Sequence, residues 1–97
     1  MKREMYFTSE TLRERSQEML SALETYCQRH GAQVLRPSCA ALLVLDMQNC
    51  FLQSDSHAYI PSASAIVPVV RSLIIAFREE SRPVIFTRHI NTKENAD

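Results

Sequence analysis

Two short segments hold most of the side chains able to do chemistry. Asp46-Met47-Gln48-Asn49-Cys50-Phe51 follows six apolar residues, and Thr87-Arg88-His89 follows a second apolar run. A carboxylate directly after Ala40-Ala41-Leu42-Leu43-Val44-Leu45 is expected to be poorly solvated, the condition that makes an aspartate a working base. The plainer reading has Asp46 capping the following turn through backbone N–H groups. Gln48 and Asn49 are candidates for ordering the loop beneath it. Phe51 is either a pocket wall or core, and Arg88 and His89 either line the pocket mouth or make structural hydrogen bonds.

The thiols and imidazoles give weaker signals. Cys27, Cys39 and Cys50 are spaced 12 and 11 apart, with neither C-x-x-C nor a Cys/His zinc spacing. Reduced thiols in a cytoplasmic protein are therefore expected. Cys27 reads as core and Cys39 as structural. Cys50, four residues after Asp46, is an alternative nucleophile, but no helix N-terminus or paired lysine is evident to favour its thiolate. Asp55-Ser56-His57 fits D-x-H on paper, yet a metal site needs three or four converging ligands, so no metal is expected. His30 suits a helix C-terminus.

These segments need elements to position them. Leu12, Met19, Leu20, Leu23, Tyr26 and Cys27 recur at helical spacing and predict an amphipathic helix over 9–30. Thr11 with Glu14 matches a capping box, Ser9 competes as cap, and Gly31 is placed to stop the helix. A linker with Arg36 and Pro37 leads to the apolar run at 40–45, whose lack of alternation suits a strand buried on both faces of a parallel sheet. Residues 47–63 read as a long loop. Ile66, Val69, Val70, Leu73, Ile74 and Phe77 form an apolar stripe over a helix at about 65–80, with Pro68 placing its start close to Ser64. Val84-Ile85-Phe86-Thr87 reads as a second buried strand, and Asn91 to Asp97 as a polar tail. Strand, helix, strand is one βαβ unit. Ligands in such sheets bind outside the carboxyl ends of the strands, where both chemical segments arrive.

Composition excludes several function classes. With 11 basic and 11 acidic residues among 97, the chain has no net charge, so neither nucleic acid nor an anionic membrane is expected as partner. No stretch is apolar enough for a transmembrane helix, and the charged start lacks a signal-peptide core. Only one glycine is present where ordinary usage supplies about seven. That excludes G-x-G-x-x-G and Walker A phosphate loops.

Residues 41–52, Ala-Leu-Leu-Val-Leu-Asp-Met-Gln-Asn-Cys-Phe-Leu, resemble the opening strand motif of the isochorismatase-like cysteine hydrolases, an apolar run followed by D-x-Q-N-D-F. The family's second landmark, an apolar strand ending in T-R-H, looks like Pro83 to His89 here. Ser56 to Ala63 also looks like a stretch of some members. The resemblance covers about 40–97. It implies a doubly wound parallel sheet flanked by helices, a Rossmann-like three-layer fold assembled as a homo-oligomer. It also implies hydrolysis of an amide, carbamoyl or vinyl-ether bond in a small molecule by an Asp–Lys–Cys triad without an organic cofactor. The triad aspartate corresponds to Asp46, and Gln48, Asn49, Phe51, Arg88 and His89 become substrate-pocket candidates. Cys50 departs from the pattern, standing where the family carries an acid. The family's lysine and cysteine come later than this sequence reaches: Lys93 is too early and Lys2 lies in the wrong half.

The resulting expectation is an α/β chain: residues 1–38 an N-terminal helical extension and linker, 39–97 the first part of an isochorismatase-like domain, truncated and inactive as it stands. The alternative is a non-catalytic binding or assembly module that pairs through its helix or sheet edge.

Overall fold

The computed structural model describes residues 3–27 and 34–90. Helix α1 (Leu12–Cys27) is followed by a 3₁₀ turn at Pro37–Cys39 and by strand β1 (Leu42–Val44). A one-turn helix α2 (Asn49–Leu52), helix α3 (Ala63–Glu79) and strand β2 (Val84–Phe86) complete the order. The two strands pair in parallel, Leu42 with Val84, Leu43 with Ile85 and Val44 with Phe86, and α3 crosses between them. The βαβ unit is present. The long loop expected over 47–63 is in fact broken by α2 and gives way to α3 at Ala63.

Packing covers one side of this unit. Ile66, Val70, Ile74 and Phe77 are the half-buried members of the α3 stripe, together with Val67. Val69 and Leu73, expected in that stripe, are 49% and 43% exposed. Val44 and Ala65 are buried, whereas Leu43, Leu45 and Ile85 are each more than half exposed. Strand β1 is thus covered on one face only, where the sequence predicts cover on both. Alternate strand residues point to opposite faces, so Leu42 and Val44 meet α3 while Leu43 and its partner Ile85 face away. The radius of gyration, 16.6 Å, exceeds the roughly 13 Å of a compact domain near 100 residues.

Helix α1 packs lightly. Only Leu12 of its described stripe is half-buried, and Met19, Leu20, Leu23 and Tyr26 are exposed. An open cleft of about 590 Å³ separates its first turns from Ile66 and Val69 of α3. In place of the expected Thr11–Glu14 box, a reciprocal Thr8–Thr11 pair closes the turn that leads into α1. The N–H of Thr11 donates to Thr8 Oγ1 at 3.3 Å, and the N–H of Thr8 donates back to Thr11 Oγ1 at 2.9 Å. Threonine serves in both halves of this box because each hydroxyl can accept from the other's backbone. Beside it, the Glu10 carboxylate is held below the usual range by a backbone hydrogen bond, then by the Thr8 hydroxyl. A depressed carboxylate contributes stability above its unfolded pKa and loses it as the pH falls through the folded value. The side chain of Cys27, His30, the Gly31 stop and the 91–97 tail lie outside the described residues. Cys39, expected to be structural, is exposed.

Two backbone features of α3 have local costs. Pro68 lies in the second turn, five residues after Ala63, so the carbonyl of Ser64 lacks its intrahelical N–H donor. At the other end Ser81 takes φ 54°, with Ser81 N–H on Arg78 O at 3.0 Å and Arg82 N–H on Phe77 O at 2.8 Å. That pair of bonds is a Schellman stop, which normally uses glycine at the left-handed position. Ser81→Gly should therefore raise stability by about 1 kcal/mol. Pro68→Ala, at an exposed position, should raise it by about 2 kcal/mol, the helix gain less the unfolded-chain entropy. Both are read as higher urea midpoints at unchanged m-value.

Candidate active site

Beyond Val44 and Phe86 the strand ladder ends, and side chains continue the pairing. Thr87 N–H still donates to Val44 O at 2.9 Å. One step further, Asp46 N–H donates to Thr87 Oγ1 at 3.1 Å, and that hydroxyl donates to Asp46 Oδ1 at 2.9 Å. Two residues on, the Gln48 amide grips the backbone of His89. Its Nε2 donates to His89 O at 2.9 Å, and His89 N–H donates to Gln48 Oε1 at 2.8 Å. The Gln48 side chain imitates a strand neighbour, satisfying one donor and one acceptor that the ladder leaves open.

Asp46 itself turns the chain. Its φ of 52° is in the left-handed region, which aspartate tolerates better than most residues. Gln48 N–H then donates to Asp46 O at 2.9 Å, and the following N–H groups of Phe51 and Leu52 return to Gln48 O as α2 begins. The expected poor solvation is not found. Asp46 is exposed, at the open end of a strand where Leu43 and Leu45 are themselves more than half exposed. Its Oδ1 is held by Thr87, while Oδ2 has no hydrogen-bond partner among the described residues. A carboxylate fixed through one oxygen with the other available is oriented to accept a proton.

A cleft of about 480 Å³ opens beside this carboxylate, within the size range of small-molecule sites. Asp46 and Ser62 are the polar members of its wall apart from the Tyr6 hydroxyl. Met47, Phe51, Ile60 and Ile66 supply apolar surface, and Tyr6 and Phe7 close it from the N-terminal arm. Of the candidates named from sequence, Asp46 and Phe51 meet here. Gln48 lies half-buried beneath, fixing the loop. Asn49 is exposed at the first turn of α2, and neither Arg88 nor His89 lines the cleft; His89 is engaged through its backbone instead. Cys50 is half-buried, its Sγ accepting from Gln48 Nε2 at 3.2 Å. Asp55 and His57 are exposed, and no group of three or more potential metal ligands occurs among the described residues.

The roles of Thr87 and the arm residues escape a sequence reading. Thr87 shows its role only once the parallel register sets it opposite Asp46, 41 residues away. Tyr6 and Phe7 carry no motif, and Ser62, which anchors them, looks like one loop serine among several.

If the clamp holds the site, its loss is measurable. Thr87→Val keeps the shape, removes both bonds to Asp46, and should cost about 1–2 kcal/mol in urea unfolding. Gln48→Met should speed hydrogen exchange at the His89 amide about tenfold. An unchanged His89 rate would show that the amide contributes nothing there.

The described helices include none long and apolar enough to cross a membrane. Neither the curated proteins nor the solved structures contain a significant match. The family model described as "Isochorismatase domain" matches residues 40–97, more than half of the chain and the whole of the βαβ unit with its clamp. The chain belongs to the isochorismatase-like hydrolase family.

Proposed function

We propose that this chain carries the first part of a cysteine hydrolase site for a small-molecule amide, carbamoyl or vinyl-ether bond, with Asp46 as its base. The observation that supports this reading is the Asp46 carboxylate, fixed by Thr87 at the carboxyl end of β1 on the rim of an apolar cleft. In the family reaction on an amide or carbamoyl bond, a cysteine thiol gives its proton to the aspartate, and the sulfur attacks the carbonyl carbon. The leaving group departs with a proton, and water then releases the acyl enzyme. Here Asp46 Oδ2 is the acceptor. A lysine steadies the carboxylate and the developing negative charge, a role with no occupant in this cleft, whose wall has neither lysine nor cysteine.

With two triad roles unfilled in this cleft among the described residues, no turnover is expected from these 97 residues. Residues 39–97 then form the N-terminal part of a doubly wound domain preceded by an extension at 1–38. The uncovered Leu43, Leu45 and Ile85 favour this, because parallel strands are ordinarily covered on both faces. The same apolar face favours the second reading, an assembly module in which the sheet is covered by another chain, and a homo-oligomer suits both. The reduced-thiol pattern suits a cytoplasmic protein, and the balanced charge favours small molecules as the ligand class, giving no reason to expect nucleic acid or an anionic membrane.

Assaying the purified chain against a panel of small amides should give no turnover. Turnover abolished by Asp46→Ala would overturn the inactivity. In ¹⁵N–¹H correlation spectra, the Asp46 amide should shift with at least one of these amides. A signal indifferent to all of them would remove the substrate site.

A further inference from the structure

The cleft beside Asp46 has a wall that the family match does not reach. Residues 3–8 lie upstream of the matched region at 40–97, yet Tyr6 and Phe7 line the cleft together with Asp46 and Phe51. Phe7 is half-buried there. Three attachments hold this arm. The Arg3 guanidinium donates to the carbonyls of Tyr59 at 3.0 Å and Ser56 at 3.4 Å, and also to that of His57. The hydroxyl of Ser62, itself buried, accepts from Tyr6 N–H at 2.8 Å and Phe7 N–H at 3.3 Å. Beyond Phe7, the reciprocal Thr8–Thr11 bonds turn the arm into α1.

We infer that the N-terminal arm is the specificity wall of the Asp46 cleft, with Phe7 selecting ligands that carry a flat apolar body. The inference deepens the proposed reading and rests on it. Backbone N–H groups carried to one buried hydroxyl fix where the Phe7 ring begins, and Arg3 fixes the chain before it. A wall held from both sides is preorganised, so a ligand ring meets it without the cost of ordering a loose segment. Phe7 faces a cleft whose other surfaces include the apolar Met47, Phe51 and Ile60, and whose one charged group, the Asp46 carboxylate, lies at the β1 end. A ring with a single polar substituent fits that distribution; a compact polar molecule leaves the apolar walls wet. Arg3 and Ser62 are positioning residues, acting on the cleft only through the arm.

Titrating the full 97-residue chain with benzamide and with acetamide, followed by ¹⁵N–¹H correlation spectra, tests this. Benzamide should bind saturably and shift the Phe7 and Phe51 signals, with acetamide at least about tenfold weaker. Phe7→Ala should reduce benzamide affinity about tenfold and narrow its margin over acetamide; Arg3→Ala, outside the cleft wall, should reduce it several-fold. Dispersed spectra of both variants show that the fold persists. Should Phe7→Ala disturb it, Phe7→Leu supplies the comparison and should still weaken benzamide binding. Absence of saturable benzamide binding overturns the arm's role, as does an affinity unchanged by both substitutions. The two readings fail separately. An Asp46 signal that responds to the amides while benzamide affinity ignores the arm sinks only the specificity wall. Arm-dependent benzamide binding with an Asp46 signal blind to both amides sinks only the hydrolase site.

Discussion

The structure depends on a clamp made where its two strands run out. Three ladder residues per strand form a short pairing, and a two-stranded sheet of that length is marginal in water. Thr87 and Gln48 extend it by two further rungs, using a hydroxyl and an amide in place of backbone. Position and chemistry are joined at this point, because the residue caught in the first rung is Asp46. The bond that aligns the strands also aims the carboxylate.

That economy explains which parts were legible in the sequence. Helix α3 and both strands follow from the runs at 66–77, 40–45 and 84–87, because each needs only a periodicity and a bounding turn. The chemical segments were visible for the same reason: a polar residue ending an apolar run stands out. What could not be read was anything set by register or by long-range approach. Thr87 looked like the last residue of a strand and Ser62 like loop, and Phe7 stands in no motif. The exposure of Asp46 also went against expectation. An apolar run dries the residue after it only when both faces of the strand are covered, and here Leu43 and Leu45 lie open.

Scarcity of glycine has a structural counterpart. The chain turns left-handed at two described non-glycine positions, Asp46 and Ser81, for unlike reasons. At Ser81 the strain ends a helix, and glycine would do the same without loss. At Asp46 glycine would relax the backbone but remove the carboxylate, so some strain is retained where the side chain is needed. Such strain persists when the surroundings hold it, and the Thr87 rung is that surrounding.

The clamp spans 41 residues of chain, which bears on when the site comes into being. Bonds between distant residues form only after the intervening segment has been closed into a loop, and contacts of that range slow folding. During synthesis Asp46 is made long before Thr87 and His89, and it has no fixed orientation until they arrive and α3 has packed across the strands. Its carboxylate is therefore among the last features to be set, and a nascent chain stalled before residue 87 holds the aspartate without the geometry.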